Sequence, residues 1–446
     1  INAVLADNGS ASALEKTGSG RLTLAAANTF SGSLTVQEGA LLLDHAEALR
    51  YATLNATGSG VEFSAAVTDG LFHVGALGSS GQFTLQNQAG SSVMLRIAGD
   101  ASTTFAGTLG GSGGLIKAGS GTLTLASPNT YSGGTRIEAG RIVVADASAL
   151  GTGAVWNDGI LDLVQARRPV VALANGLGGS GIINVAVSSE GGDFTQMLNG
   201  NYAGFTGTWN LLSINGTTGR VQMNGQDNPS ATINVQSNVL VLVNATQVHS
   251  AALNLFGGNT GSANGQLRIE GNAEWAGPIT LMAPIADTND AFFGGGNSAI
   301  ISGHIRDNGT NYMVRKLAGG YITFANPTNT FTGQLWINEN NIRCYNIRNV
   351  GQPSCLGQPM NAADGTIRFG NLTLSAGLYY MGFGDTTDRI FDLFTASGTT
   401  TIDYAGQYGT LVLNGDVISS TPGNKRYQVQ GGSMLGTVVP NGVIYN

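Results

Sequence analysis

The sequence predicts an all-β chain folded as a parallel β-helix, a β-solenoid. Three observations predict it. A unit of more than thirty residues recurs along the chain. Short apolar or alternating segments are bounded almost everywhere by Gly, Asn, Asp or Ser. No segment shows a sustained 3.6-residue apolar period. A short repeat that cannot bury its own apolar face must stack on the next copy, and stacked copies make a solenoid.

The repeat begins at Lys16–Ala25 (KTGSGRLTLA) and returns at Lys117–Ala126 (KAGSGTLTLA). The match continues without a gap. Asn28, Phe30 and Gly32 meet Asn129, Tyr131 and Gly133, and it runs on to Ala48-Leu49 and Ala149-Leu150. A third, looser copy starts at Lys316–Ala325 and passes through Asn329, Phe331 and Gly333. The repeat-like units are thus placed at about 16–50, 117–151 and 316–344, within one continuous solenoid over 1–446. Between the copies runs a shorter echo of a large apolar residue, a small residue and Gly: Phe105 to Gly107, Phe205 to Gly207, Trp275 to Gly277 and Ile301 to Gly303. Such aromatics could stack sugars, but at turn edges they more often plug a core.

The strands can be read directly. Arg21–Leu24 and Thr122–Leu125 alternate polar and apolar residues, which suits one buried and one wet face. Ala40–Leu43, Arg141–Val144 and Val239–Val243 are short apolar runs. Ala46–Arg50 has room for a single helical turn.

Composition narrows the function. The chain has 446 residues, 42% hydrophobic and only 11% charged, a combination opposite to that of disordered chains. Its 68 Gly against 10 Pro indicate many tight turns without a collagen period. The net charge of -7 and the absence of any basic cluster beyond Arg167-Arg168 and Lys425-Arg426 exclude a nucleic-acid stripe. No apolar run is long enough for a membrane-spanning helix. The opening at Ile1, without a charged leader, reads as a mature or excised piece.

Motifs with chemical potential are few. Gly176–Gly181 fits a dinucleotide-binding pattern, but a strand-like Ile182–Val185 follows where a helix is required. A polysaccharide-active site would need converging carboxylates. The best local cluster is Asp385, Asp388 and Asp392, with Asp388 and Asp392 of the same parity on an extended segment. Arg389 among them points instead to a solvated loop with a local ion pair. Asp287 and Asp290 read as an Asx-type turn. No calcium-loop spacing occurs, and His45, His73, His249 and His304 are too far apart in sequence to suggest a metal pair. The expected cofactor and metal content is none.

The ordered pattern of Lys, paired Gly, Leu-x-Leu, Asn-Thr-Phe/Tyr and Gly over residues 16–50 and 117–151, and partly 316–344, resembles the passenger-associated transport repeat of autotransporters, the type V secretion proteins. Thr386–Arg389 with Ile402-Asp403 and Gly409–Leu413 resembles a segment of very large Gly-rich proteins of that kind. The resemblance implies a right-handed β-helix, an extracellular or bacterial cell-surface location and a structural or adhesive role. The expectation is a secreted or cell-surface adhesive solenoid that catalyses nothing. The alternatives are a polysaccharide-active enzyme on the same fold and, less favoured, a membrane-active toxin passenger.

Two further expectations follow once export is assumed. Residues 343–359 break the repeat and carry Pro353 and Pro359, so they read as a loop protruding from the solenoid. Cys344 and Cys355 close that loop and are expected to form a disulfide, a cross-link worth roughly 3 kcal/mol at this loop length. Second, Ile1–Leu5 and Val438–Tyr445 read as uncapped strands, and exposed edges pair with other chains. The expected partners are therefore copies of the chain joined end to end into a fibre, with host or matrix glycans as possible ligands.

Overall fold

The computed structural model describes residues 1–446 apart from 59, 165–171, 189–194, 245–246, 258–264, 283–289, 297, 310, 318, 407, 432–435 and 446. The chain divides into two compact units, Ile1–Ala186 with Gln196–Asn210, and Val187–Thr195 with Leu211–Asn446. Each is a parallel β-solenoid.

In the first unit, strand Thr122–Leu125 pairs with Thr103–Phe105 on one side and Arg141–Val144 on the other. A second track runs through Met94–Ile97, Gly114–Lys117, Thr135–Ile137 and Val155–Asn157. All of these pairings are parallel, so each strand is followed by a turn, a further strand and a return one coil later. Like residues therefore stack on like. Leu123, Ile142, Leu161 and Ile183 lie in register on successive coils, and all are fully buried. Each such side chain contributes roughly 1.5–3 kcal/mol by leaving water. The alternation of Thr122–Leu125 is used as expected: both Leu face inward and both Thr are half-exposed.

The second unit repeats the plan with larger steps. Val314, Leu335, Ile367 and Phe391 form one buried column. Ile322, Ile342, Leu378 and Ile402 form another. Among the described residues, helix is confined to Ala362–Gly365 and the 3-10 turn Ala147–Leu150. Ala46–Ala48 is a plain turn that leads into strand Leu49–Ala56.

The repeat signature acts in coil-to-coil contacts. Its asparagines bind three successive coils. Asn129 accepts from the Leu109 amide at 2.7 Å and donates to the Ala149 carbonyl at 2.6 Å. Asn28 does the same between Leu5 and Ala48, and Asn329 between Ile305 and Cys355. All three are buried, so these side chains satisfy backbone groups that water cannot reach.

The signature lysines are buried as well. Each ammonium sits among turn carbonyls: Lys16 on Thr17, Gly18 and Glu38, Lys117 on Gly119, and Lys316 on Gly319 and Glu339. Three donors on one nitrogen match such a convergence. Phe30, Tyr131 and Phe331 fill the core beside them. Tyr131 can be polar there because its hydroxyl meets Thr135 Oγ1 at 2.6 Å.

The shorter echo has the same purpose. Phe105, Phe205, Trp275 and Ile301 are all buried, so none offers a face to a sugar. Glycine follows because the chain presses on the coil before it. A Cβ at Gly107 would overlap the Gly81 carbonyl oxygen, and one at Gly303 that of Gly277.

Two sequence expectations change. The third copy does not stop at 344. Ser354-Cys355-Leu356-Gly357 occupies the place of Ser148-Ala149-Leu150-Gly151: the two glycines share a left-handed φ, 81° and 70°, and each crowds the ring of its copy's core aromatic, Phe331 or Tyr131. The copy is interrupted by an insertion at 345–353. Nor does 343–359 protrude as a free loop. Cys344, Asn346, Ile347, Ser354, Cys355 and Leu356 are buried, because side chains of the following coil take up the polar groups of the insertion.

Candidate functional site

Those side chains are the acidic cluster itself. Asp385 opens strand Asp385–Thr387, and one of its oxygens accepts from the amides of Ile347 at 2.9 Å and Arg348 at 3.3 Å. Asp388 accepts from the Val350 amide at 2.8 Å. Asp392 lies on a different strand, Phe391–Thr395. It pairs with Arg368 at 3.2 Å and accepts from the amide and hydroxyl of Ser420. Asp385 and Asp388 thus serve the insertion while Asp392 serves Arg368 and Ser420, so the three carboxylates are not gathered on one task.

Arg389 is not in a solvated ion pair. Its side chain is buried and donates to the carbonyls of Arg348, Leu356 and Gly357 and to Ser354 Oγ, at 2.9–3.2 Å. Burial lowers its pKa to about 10, so it stays charged at neutral pH. Carbonyl oxygens converge on the guanidinium from both ends of the insertion, which Arg389 holds against the coil.

The two cysteines lie at the base of the insertion. Phe324 pairs with Cys344 as Leu125 pairs with Val144 and Leu24 with Leu43. Asn329 fixes Cys355 as Asn129 fixes Ala149 and Asn28 fixes Ala48. The cysteines thus take the two core positions held by Leu43 and Ala48 in the first copy and Val144 and Ala149 in the second. Both are thiols in the structure and fully buried. The Tyr345 amide lies 3.3 Å from Cys355 Sγ. Burial pushes both thiols above their ordinary pKa, and for Cys344 the neighbouring Cys355 adds to it.

An open groove of about 560 Å³ lies on the first unit. Trp156 is the one aromatic side chain among its lining residues. Val155 and Asn157 point inward, so strand parity turns Trp156 outward, where it is 47% exposed. In register it lies between Arg136 and Gly178, and Gly204 follows on the next coil. A Cβ at Gly178 would come within 2.5 Å of the indole, so glycine lets the ring lie close to the sheet. Asp158 accepts from the indole Nε1 at 2.7 Å, which fixes the ring. Arg136 and Asn201 line the rim, and Glu138 pairs with both Arg136 and Arg96. The result is a flat aromatic plate beside hydrogen-bonding groups. The sequence signal was present in the alternation Val155-Trp156-Asn157, a large aromatic at an outward position.

The remaining motifs are structural. Gly176–Gly181 runs from strand Leu177–Gly179 into strand Ile182–Val187, with no helix to cradle a phosphate. His45 Nδ1 accepts from the Glu47 amide, His249 stacks on Trp275 at 5.6 Å, and His304 meets Thr330 at 3.1 Å. Among the described residues no three His, Cys, Asp or Glu side chains are grouped to hold a metal ion. Asp287, the side chain of Asp290 and the pair Arg167-Arg168 lie outside the described residues.

The family model of the passenger-associated transport repeat matches residues 14–43 and 115–144. Among curated proteins, the Adhesin BmaC autotransporter of Brucella suis biovar 1 (strain 1330) is 28% identical over 351 residues, 71% of this chain and 10% of the relative. The chain thus spans about a tenth of the length of that relative. No solved structure matches it. Two matched repeats seated in parallel coils, and an autotransporter relative across most of this chain's length, support an autotransporter passenger domain, carried outside the cell or on its surface.

Proposed function

We propose that this stretch of passenger is an adhesive, non-catalytic surface element whose coils present a glycan-binding face. The observation that carries the reading is the use of the carboxylates. Asp385 and Asp388, the best candidates for acid-base work, are occupied by backbone amides of the insertion. The relative's name, an adhesin, supports the same reading. The Trp156 groove suits a sugar, whose apolar ring face packs on an aromatic while its hydroxyls meet polar neighbours. Such a face works by repetition, since weak contacts on a displayed scaffold add through effective concentration.

The test is binding of chain-coated beads to host cells and to immobilised glycans. Trp156→Ala should lower glycan binding about tenfold or more, the loss typical of a central aromatic anchor, and leave the fold intact. Unchanged binding would remove the groove from the reading. Turnover of a polysaccharide by the purified chain would favour the glycan-cleaving alternative.

Self-association is the second part of the proposal. Only 20 Lys and Arg among 446 residues leave few charges to guard strand edges against pairing with other chains. Light scattering at rising concentration measures it, and a strict monomer counts against it.

A further inference from the structure

We infer that Cys344 and Cys355 are joined by a disulfide that closes before the coil folds, locking the base of the 345–353 insertion. The inference rests on the surface location of the chain and is independent of what the chain binds. In the sister copies the same two positions are buried apolar residues at one corner of the coil, Val144 and Ala149 in one and Leu43 and Ala48 in the other. The repeat therefore brings the two cysteines together whatever sequence lies between them. Cys355 Sγ lies 3.3 Å from the Tyr345 nitrogen, which is covalently bonded to Cys344. Standard bond lengths then put this sulfur no farther than about 6 Å from the Cys344 Cα, so the two cysteines are direct neighbours at the base of the insertion.

The order of events follows from burial. Both sulfurs are shut off from solvent in the folded coil, and burial keeps both protonated. Thiolate is the reacting form and needs access, so the folded dithiol is inert to exchange. In the unfolded chain both thiols are open. One, as thiolate, attacks a disulfide of a thiol–disulfide oxidase of the oxidising compartment and expels one oxidase thiolate. The second cysteine, as thiolate, attacks the mixed disulfide and releases the other. Two cysteine protons pass to solvent or to the departing thiolates, and two electrons pass to the oxidase. Folding then buries the bond beneath Asn329, Arg389 and Leu356.

The test is made on chain exported through an oxidising compartment. It is unfolded in denaturant with an alkylating reagent and no reductant, then weighed. The expected mass lacks two hydrogens and carries no adduct, and two adducts appear after reduction. Two adducts without reduction overturn the proposal. Alkylation of the native chain is uninformative, because buried thiols and a disulfide resist it alike. Cys344→Val with Cys355→Ala restores the core pair of the second copy and keeps the fold. Reductant should lower the unfolding temperature of the wild-type chain by several degrees and leave this variant unmoved. An equal response of the two also overturns the proposal.

Discussion

The second and third copies of the repeat build one corner of a coil in two ways. In 117–151 the chain passes from Val144 to Ala149 through a tight 3-10 turn capped by Asp146. In 316–357 the same two places are held by Cys344 and Cys355, and an insertion occupies the space between. The frame around the corner is unchanged: a buried lysine on turn carbonyls, an asparagine across three coils and an aromatic beneath it. The difference shows that this corner accepts new chain, provided the frame holds both ends. What the longer corner adds is polar backbone, and the next coil supplies Asp385, Asp388 and Arg389 to satisfy it.

The comparison breaks most easily at the shared frame. Asn129→Ala leaves the Leu109 amide and the Ala149 carbonyl buried without partners, and Asn329→Ala does the same to Ile305 and Cys355. Each is expected to cost about 3 kcal/mol, since an orphaned buried group costs roughly 1–3 kcal/mol. Denaturant midpoints of the two variants should fall by similar amounts. A large loss in one and none in the other would show that the copies do not share the frame.

Arg389→Met strikes the longer corner alone. Its loss unpairs the Leu356 carbonyl and leaves the Gly357 carbonyl only the Ser354 hydroxyl, while a similar apolar volume remains, for a cost of about 2 kcal/mol. The expected readout is rapid tryptic cleavage after Arg348, which the clasp now holds, with no new cut between 117 and 151. Resistance equal to that of the wild-type chain would show that the carboxylates alone hold the insertion.

The smallest effect separates the lysines by pH. Burial pulls Lys316 from its ordinary 10.5 down to about 8, against the opposing pull of Glu339. The folded state then releases this proton before the unfolded chain does. Between pH 8 and 10.5 the unfolded chain binds more protons, so this residue's contribution to stability rises with pH. Wild-type stability should therefore climb relative to Lys316→Met over that window. A constant difference would mean that the turn carbonyls hold the proton on Lys316 despite its burial.

Much of this was legible in the sequence because it is local or periodic. Alternation placed Leu123 and Leu125 inward, and the recurrence of Lys, Asn and Phe or Tyr at fixed intervals marked copies that must stack. The third copy was read too short because the insertion hid the correspondence between Ser354-Cys355-Leu356-Gly357 and Ser148-Ala149-Leu150-Gly151. Trp156 was within reach of parity, yet one outward aromatic carries no period and does not stand out from core aromatics.

The sequence by itself determined the parallel coils and which faces they bury, since a 2-residue strand period and a repeat of fixed length are properties of the chain alone. Only the tertiary structure decided the roles of the charged residues. Asp385, Asp388 and Arg389 read as a solvated loop with a local ion pair until the preceding coil is laid against them. Their partners lie on the preceding coil, 32 to 41 residues away for Arg389. A carboxylate or guanidinium takes its function from whichever groups the fold brings within hydrogen-bonding range, and across coils that range is set by stacking register.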